Sequence, residues 1–319
     1  EKPAKEWQLQ VDPESAVNQK LHLETWLNGS PPEVIAFDGK ALFAMELSDG
    51  VREERTAKLV LARHEYDQEP EDVEALIWLG RRTAYLGSYQ RAVQIYSEGL
   101  KIHPEEPRLY RHRGHRHITL RKFPEAIADL EQACQLIQGA PDQVEPDGLP
   151  NTRNTPTSTT HSNIWYHLGL AYYLSGDFAN AERGYRNCLE YSKNPDMLCA
   201  TSHWLYMSLR RQGKHQEAEQ VLKAITEDMD IIENHAYFEL LLMYKGLRTP
   251  DAILEKSRAQ GGLGFATSAY GVANWHLANG DRKQALPIFK EMVRSEFWPA
   301  FGYIAAEADL ERIRSAAKE

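Results

Sequence analysis

Along residues 75–192 apolar side chains recur at every third or fourth position in paired stretches, and each pair is split by a short polar break, LGS at 86–88 or SGD at 175–177. That spacing gathers apolar groups on one face of a helix. A glycine-bearing break ends the helix and turns the chain. The pattern therefore predicts helix hairpins, and three of them align: ALIWLGRRTAYLGSYQRAVQIYSEGLKIHP (75–104), RLYRHRGHRHITLRKFPEAIADLEQACQLI (108–137) and NIWYHLGLAYYLSGDFANAERGYRNCLEYS (163–192). Gly80 and Gly114 are 34 residues apart, as are Ala92 and Ala126, and Tyr89 and Phe123; Gly169, Phe178 and Ala181 take the same roles in the third copy. Small residues sit where the two helices of a hairpin cross closely, and the aromatics Tyr89, Tyr96, Phe178 and Tyr185 fill the space around them. Pro104 stops a second helix. A lone hairpin cannot bury its apolar face, so the copies are expected to stack.

The period weakens beyond the third copy. A fourth follows through Leu205, Leu209, Gly213, Ala218 and Leu222, with Tyr206 where a glycine is expected. HAYFELLLMYKGLRTPDAILEKS and ATSAYGVANWHLANGDRKQALPIFKEMV read as degenerate pairs, VREERTAKLVLARHEYDQEP as a lone second helix, and PAFGYIAAEADLERIRSAAKE as a terminal capping helix. Residues 1–49 hold no repeat register, although DPESAVNQKLHLETWL suggests a helix starting near Asp12. Residues 139–161, GAPDQVEPDGLPNTRNTPTSTTH, interrupt the period with four prolines and no helical pattern. Loops of this length are functional or disordered, and an ordered loop lying over the stacked hairpins competes with disorder.

At Trp165, Leu168, Gly169, Tyr172, Phe178, Ala181 and Tyr185 the chain resembles the tetratricopeptide repeat (TPR) family, bacterial members included. The resemblance spans residues 50–319 and implies an all-α fold: an α-solenoid of helix hairpins wound as a right-handed superhelix, with a long inserted loop and an irregular N-terminal segment. It divides the chain into an extension (1–49) and a solenoid (50–319). The solenoid has clear repeats at 73–106, 107–140, 162–195 and 199–232, degenerate pairs at 233–260 and 266–298, a capping helix at 299–319, and the insert at 139–161.

Composition narrows the functional classes. The 319 residues carry a net charge of −9, with 42% hydrophobic and 26% charged residues. An acidic balance disfavours nucleic-acid binding, which needs clustered Lys and Arg. No apolar run approaches the roughly 20 residues of a membrane helix. Cys134, Cys188 and Cys199 make neither a disulfide framework nor a CxxC site and are expected as small packing residues. The chain opens on Glu1, the expectation being a soluble protein with a front segment removed; both a periplasmic and a cytoplasmic location stay open.

Against this acidity, YRHRGHRHITLRKF (110–123) has eight Arg, Lys or His in fourteen residues. It falls on the first helix of the second copy, where His112 and His115 are about 60° apart and share a face while His117 points elsewhere. Arg113 and His117 fall at positions between helices, where a structural partner is expected. In TPR proteins the first helix of each pair lines the concave groove. By that resemblance the groove residues are Arg81 and Tyr85; Arg108, Arg111, His112 and His115; Asn163, Tyr166, His167 and Tyr173; and His203 and Arg210, beside Ile77, Trp204, Met207 and Arg211. This set is basic, aromatic and histidine-rich, and Arg111 is expected to project into the hollow. A cationic surface within an anionic molecule concentrates anionic ligands, and the guanidinium fork suits carboxylates.

Two readings follow. The first is a scaffold binding an acidic or carboxylate-bearing peptide, protein segment or small molecule. The Lys and Asn clamp by which some TPR domains hold a terminal carboxylate is not reproduced, since its positions are Ile77 and Arg81 in the first copy. The alternative is a metal-dependent or acid/base enzyme, with zinc or another divalent metal held by His112, His115, His167 and His203, and Glu145, Asp147 and His161 of the insert nearby. No HExxH, P-loop, GxSxG or paired CxxC pattern supports it.

Overall fold

The computed structural model describes residues 31–317; the helix expected near Asp12 lies outside them. A short antiparallel hairpin comes first, β1 (Val34–Ile35) and β2 (Ala41–Leu42). Helices then follow in antiparallel succession: α1 (Asp49–Gln68), α2 (Val73–Tyr85), α3 (Tyr89–Ile102), α4 (Pro107–Thr119), α5 (Phe123–Leu136), α6 (Thr160–Ser175), α7 (Phe178–Tyr191), α8 (Pro195–Arg211) and α9 (His215–Val221). The chain continues through α10 (His235–Tyr244), α11 (Pro250–Gln260), α12 (Gly262–Ala278), α13 (Arg282–Met292) and α14 (Phe301–Ala316). The fold is an all-α solenoid.

Local chemistry sets the helix ends. The Asp72 carboxylate accepts from the Glu74 and Ala75 amides, Asp177 from Asn180, and Asn194 from Met197; Thr159 and Ser162 form a capping box on α6. Turns within the hairpins place glycine in the left-handed region, with φ of 88° at Gly87, 89° at Gly176 and 73° at Gly213. The corresponding turn between α4 and α5 has Arg121 there instead, at φ 61°.

Each hairpin packs on the next. In α6 and α7 the backbones approach so closely that a Cβ on Gly184 would stand 2.8 Å from the Gly169 Cα. Tyr185, fully buried, lies against the same glycine and stacks with Trp204 of α8. Burial of side chains of this kind, such as Phe289 of α13, contributes about 1.5–3 kcal/mol each. The first helices α2, α4, α6 and α8 touch one another in turn and form the inner layer. The array then folds back on itself, because α12 and α14 lie against α8 and α6 as well as against their chain neighbours. Tyr173 of α6 donates to Asn274 of α12 at 3.0 Å, and Arg211 of α8 pairs with Asp309 of α14 at 2.9 Å. The β-hairpin segment closes the remaining seam: the Trp298 indole donates to the Phe43 carbonyl at 2.7 Å.

Candidate binding site on the inner helices

The insert is an ordered strap, not a free loop. An antiparallel bridge joins Val144 to Thr159, with Glu145 N donating to Ser158 O and Thr160 N to Gln143 O. The Asn151 side chain ties the turn at 151–155 by donating to Thr155 O, and Asn194, the N-cap of α8, holds the Thr157 carbonyl at 2.7 Å.

The strap crosses the inner layer where the sequence places the basic groove. The Glu145 carboxylate lies 3.0 Å from Arg111 Nη2 of α4 and accepts from Asn163 Nδ2 of α6 at 3.0 Å. Arg81 of α2 donates to Pro146 O and Arg82 to Gly148 O, both at 2.8 Å. Gly148 rests against the Tyr85 ring so tightly that any Cβ there would collide with the phenol. Side chains from α4 and α6 thus converge on a single buried carboxylate, while α2 holds the backbone carbonyls that follow it.

Arg111 does not project into open solvent as expected. It is 7% exposed, enclosed by the strap. Burial pushes the pKa of its guanidinium down, with Glu145 opposing that shift. His112, His115, His167 and His203 add no positive charge near neutral pH. Burial, reinforced by Arg111, holds the pKa of His112 well below the ordinary imidazole value; burial and Arg116 do the same for His115, and burial and Arg111 for His167. His203, buried among Trp204, Tyr237 and Tyr244, is pushed down to about 3 by burial alone.

The other groove residues are also engaged by the chain itself. Arg108 pairs with Glu106 and Glu74 at the surface. Tyr166 donates to the Tyr237 hydroxyl at 3.3 Å. Arg210 bonds Tyr206 and Asn279, the residue that follows α12. Arg113 forks onto Asp129, with His117 Nε2 3.6 Å from the same carboxylate, the structural role their positions suggested.

The expected metal set does not gather. His115 and His167 are in ring contact at 4.4 Å, but His167 Nδ1 is taken by the Asn163 carbonyl and His112 lies against Tyr96. Neighbouring first helices turn these rings toward different partners. Among the described residues no group of three or more His, Cys, Asp or Glu side chains is placed to hold an ion. Glu145, weighed from sequence as a ligand or base, is committed to Arg111 and Asn163.

A hollow lies beside the strap. A cavity of about 420 Å³ is lined by His115, Glu233, Tyr237, Leu263, Pro299 and Phe301. Its rim meets the strap, since Asn151 and Thr157 both donate to the Glu233 carboxylate. Among the described residues no helix is long and apolar enough to cross a membrane.

The tetratricopeptide repeat family matches residues 162–195, which hold α6 and α7. A curated relative, the BBSome complex member BBS4 of Bos taurus, is 23% identical over 184 residues, covering 54% of this chain. The chain spans about a third of that relative's length, 31%. Among solved structures, a tetratricopeptide repeat protein from Parabacteroides merdae is 16% identical with a TM-score of 0.47, covering 80% of this chain and 93% of that one. YrrB, described as a TPR protein with an unusual peptide-binding site, is 14% identical with a TM-score of 0.42, covering 73% and 91%. The tetratricopeptide repeat is thus matched at the centre of the chain, with further helix hairpins stacked on either side of it.

Proposed function

We propose that the chain is a protein-binding scaffold whose inner helices α2, α4 and α6 hold an extended acidic segment. One observation carries the reading: Arg111 and Asn163 converge on the Glu145 carboxylate while Arg81 and Arg82 grip the following backbone carbonyls. Those contacts are the chemistry by which a groove recognises a peptide, with guanidinium and amide groups for the side-chain carboxylate and directional donors for the main chain. That the peptide here belongs to the same chain does not change which groups the surface selects. The neutral histidines beside it supply flat, apolar walls in place of charge.

The test is a selection from a random library of extended peptides, run on the wild-type protein and on an Arg81→Gln/Arg111→Gln variant. Acidic sequences are expected to be enriched on the wild type and to lose their enrichment on the variant. Enriched sequences without acidic residues, or enrichment that survives both substitutions, would remove the reading.

A further inference from the structure

The strap occupies its site imperfectly. Arg111 presents an edge formed by Nε and Nη2, the edge with which Arg113 forks onto Asp129 and Arg108 onto Glu106. Glu145 meets only Nη2, and the buried Nε has no partner at all. A buried donor left unmade costs free energy that a better-placed acceptor recovers. The apolar side chains of the strap contribute little to its attachment: Val144 is 63% exposed and Leu149 51%. What holds residues 143–150 is a one-pronged ion pair and a few hydrogen bonds, each of modest net value.

We propose that residues 143–150 are a displaceable occupant of the Arg81–Arg111 site, and that an extended acidic segment of a partner protein replaces them, its carboxylate bridging both Nε and Nη2 of Arg111. This rests on the scaffold reading above and adds the identity of the competitor. The tethered strap acts as an intramolecular ligand at high effective concentration. A partner sees only the fraction of molecules in which the strap has lifted, so its apparent affinity falls by that fraction. The strap sequence itself, with its Glu145, Pro146 and Gly148, is the first approximation to the recognised pattern.

The experiment uses a labelled synthetic peptide of sequence QVEPDGLP, blocked at both ends, titrated by fluorescence anisotropy into three full-length proteins. These are the wild type, Glu145→Gln, which removes the charge that meets Arg111, and Gly148→Val, which drives the strap off Tyr85. Should Gly148→Val fail to fold, Glu145→Gln stands alone. Tryptic cleavage after Arg153, which is held to Asp230 in the strap's outer turn, reports release. Cleavage is expected to quicken in the variants, and the peptide to bind them at least about tenfold tighter than wild type, with a peptide carrying Gln in place of its Glu binding none. Unchanged cleavage, or equal peptide affinity for wild type and variants, overturns displacement and leaves the scaffold reading standing. A variant with a released strap that still ignores the peptide overturns both.

Discussion

Arg121 and Glu307 form a buried ion pair across 186 residues, with Arg121 Nη2 2.7 Å from Glu307 Oε2. The same guanidinium donates to the Thr119 and Trp298 carbonyls, and the other Glu307 oxygen accepts from the Phe37 amide at 2.7 Å. One contact thus fastens the second hairpin, the last helix and the β-hairpin segment together. To make it, Arg121 adopts the left-handed backbone that glycine occupies in the sister turns, a conformation that costs about 1–2 kcal/mol. The strain is offset only while Glu307 is there to meet.

Removing one partner should therefore cost far more than removing both. Arg121→Gly relaxes the backbone but strands a buried carboxylate, and Glu307→Gln strands a buried guanidinium. Each is expected to lower unfolding stability by about 3–5 kcal/mol, with the double variant much less destabilised than the sum. Chemical denaturation of the four proteins in this cycle reads the coupling directly. Additive losses would show that the pair holds nothing together.

The enclosure of Arg111 gives a second prediction. Arg111→Glu sets two carboxylates against each other in a buried site, and like charges there repel strongly. The least costly escape is for the strap to leave, because its own apolar side chains face solvent. Tryptic cleavage after Arg153 is expected to accelerate at least about tenfold, the effect of roughly 1.4 kcal/mol on a local opening equilibrium. Far-UV circular dichroism should stay near that of the wild type. Collapse of the helical signal would instead make the strap an indispensable part of the fold.

A third prediction concerns the α6–α7 crossing. Gly184→Ala places a methyl group 2.8 Å from the Gly169 Cα, a backbone atom that cannot step aside without moving the helix. Overpacking of this kind costs about 1–3 kcal/mol, despite the better helix propensity of alanine. At Gly139 an added Cβ meets nothing within 4 Å, but φ there is 75°, so any loss from Gly139→Ala would come from the backbone and not from packing. Thermal melts of Gly184→Ala against wild type test the crossing; equal midpoints would mean that the α6–α7 crossing yields to the added methyl group without cost.

The sequence makes some of this plain and hides the rest for physical reasons. Gly80, Gly169 and Ala181 reveal the hairpins because close helix crossings admit only small residues. Arg113 and His117 are legible as structural because their helix face points between neighbours, toward Asp129. The concave lining is a different matter. Repeat register tells which face Arg81, Arg111 and His115 occupy, but not what else arrives there. The strap and the returning helices α12 and α14 are brought in by contacts such as Arg211–Asp309 and Tyr270–Asp309, formed between residues far apart in the chain with no periodic signature. One clue was present in the sequence: LRKF at 120–123 lacks the glycine of its sister turns, a substitution that makes sense only if Arg121 has a partner worth the strain.

The fourth prediction turns on His203 and the sign of its titration. Its imidazole is buried against Trp204, Tyr237 and Tyr244, with only the Tyr244 hydroxyl near a ring nitrogen at 3.3 Å, and burial holds its pKa at about 3. In the unfolded chain the ordinary value is about 6.5. Between these limits the unfolded state binds a proton that the folded state refuses, so stability falls as the pH drops below about 6.5 and is fully retained above it. At pH 5 this single residue should account for a loss of about 2 kcal/mol. His203→Phe keeps an aromatic ring in the aromatic cluster and removes the proton acceptor. Its stability at pH 8 is expected to stay near that of the wild type, whereas its decline between pH 7 and pH 5, followed by urea denaturation, should be shallower by about that same 2 kcal/mol. The residual slope in the variant then includes His112, His115, His117, His167 and His276, whose depressed imidazoles act in the same direction. A variant curve parallel to that of the wild type would mean that His203 is protonated in the folded protein, and that the aromatic cage around it is open to water.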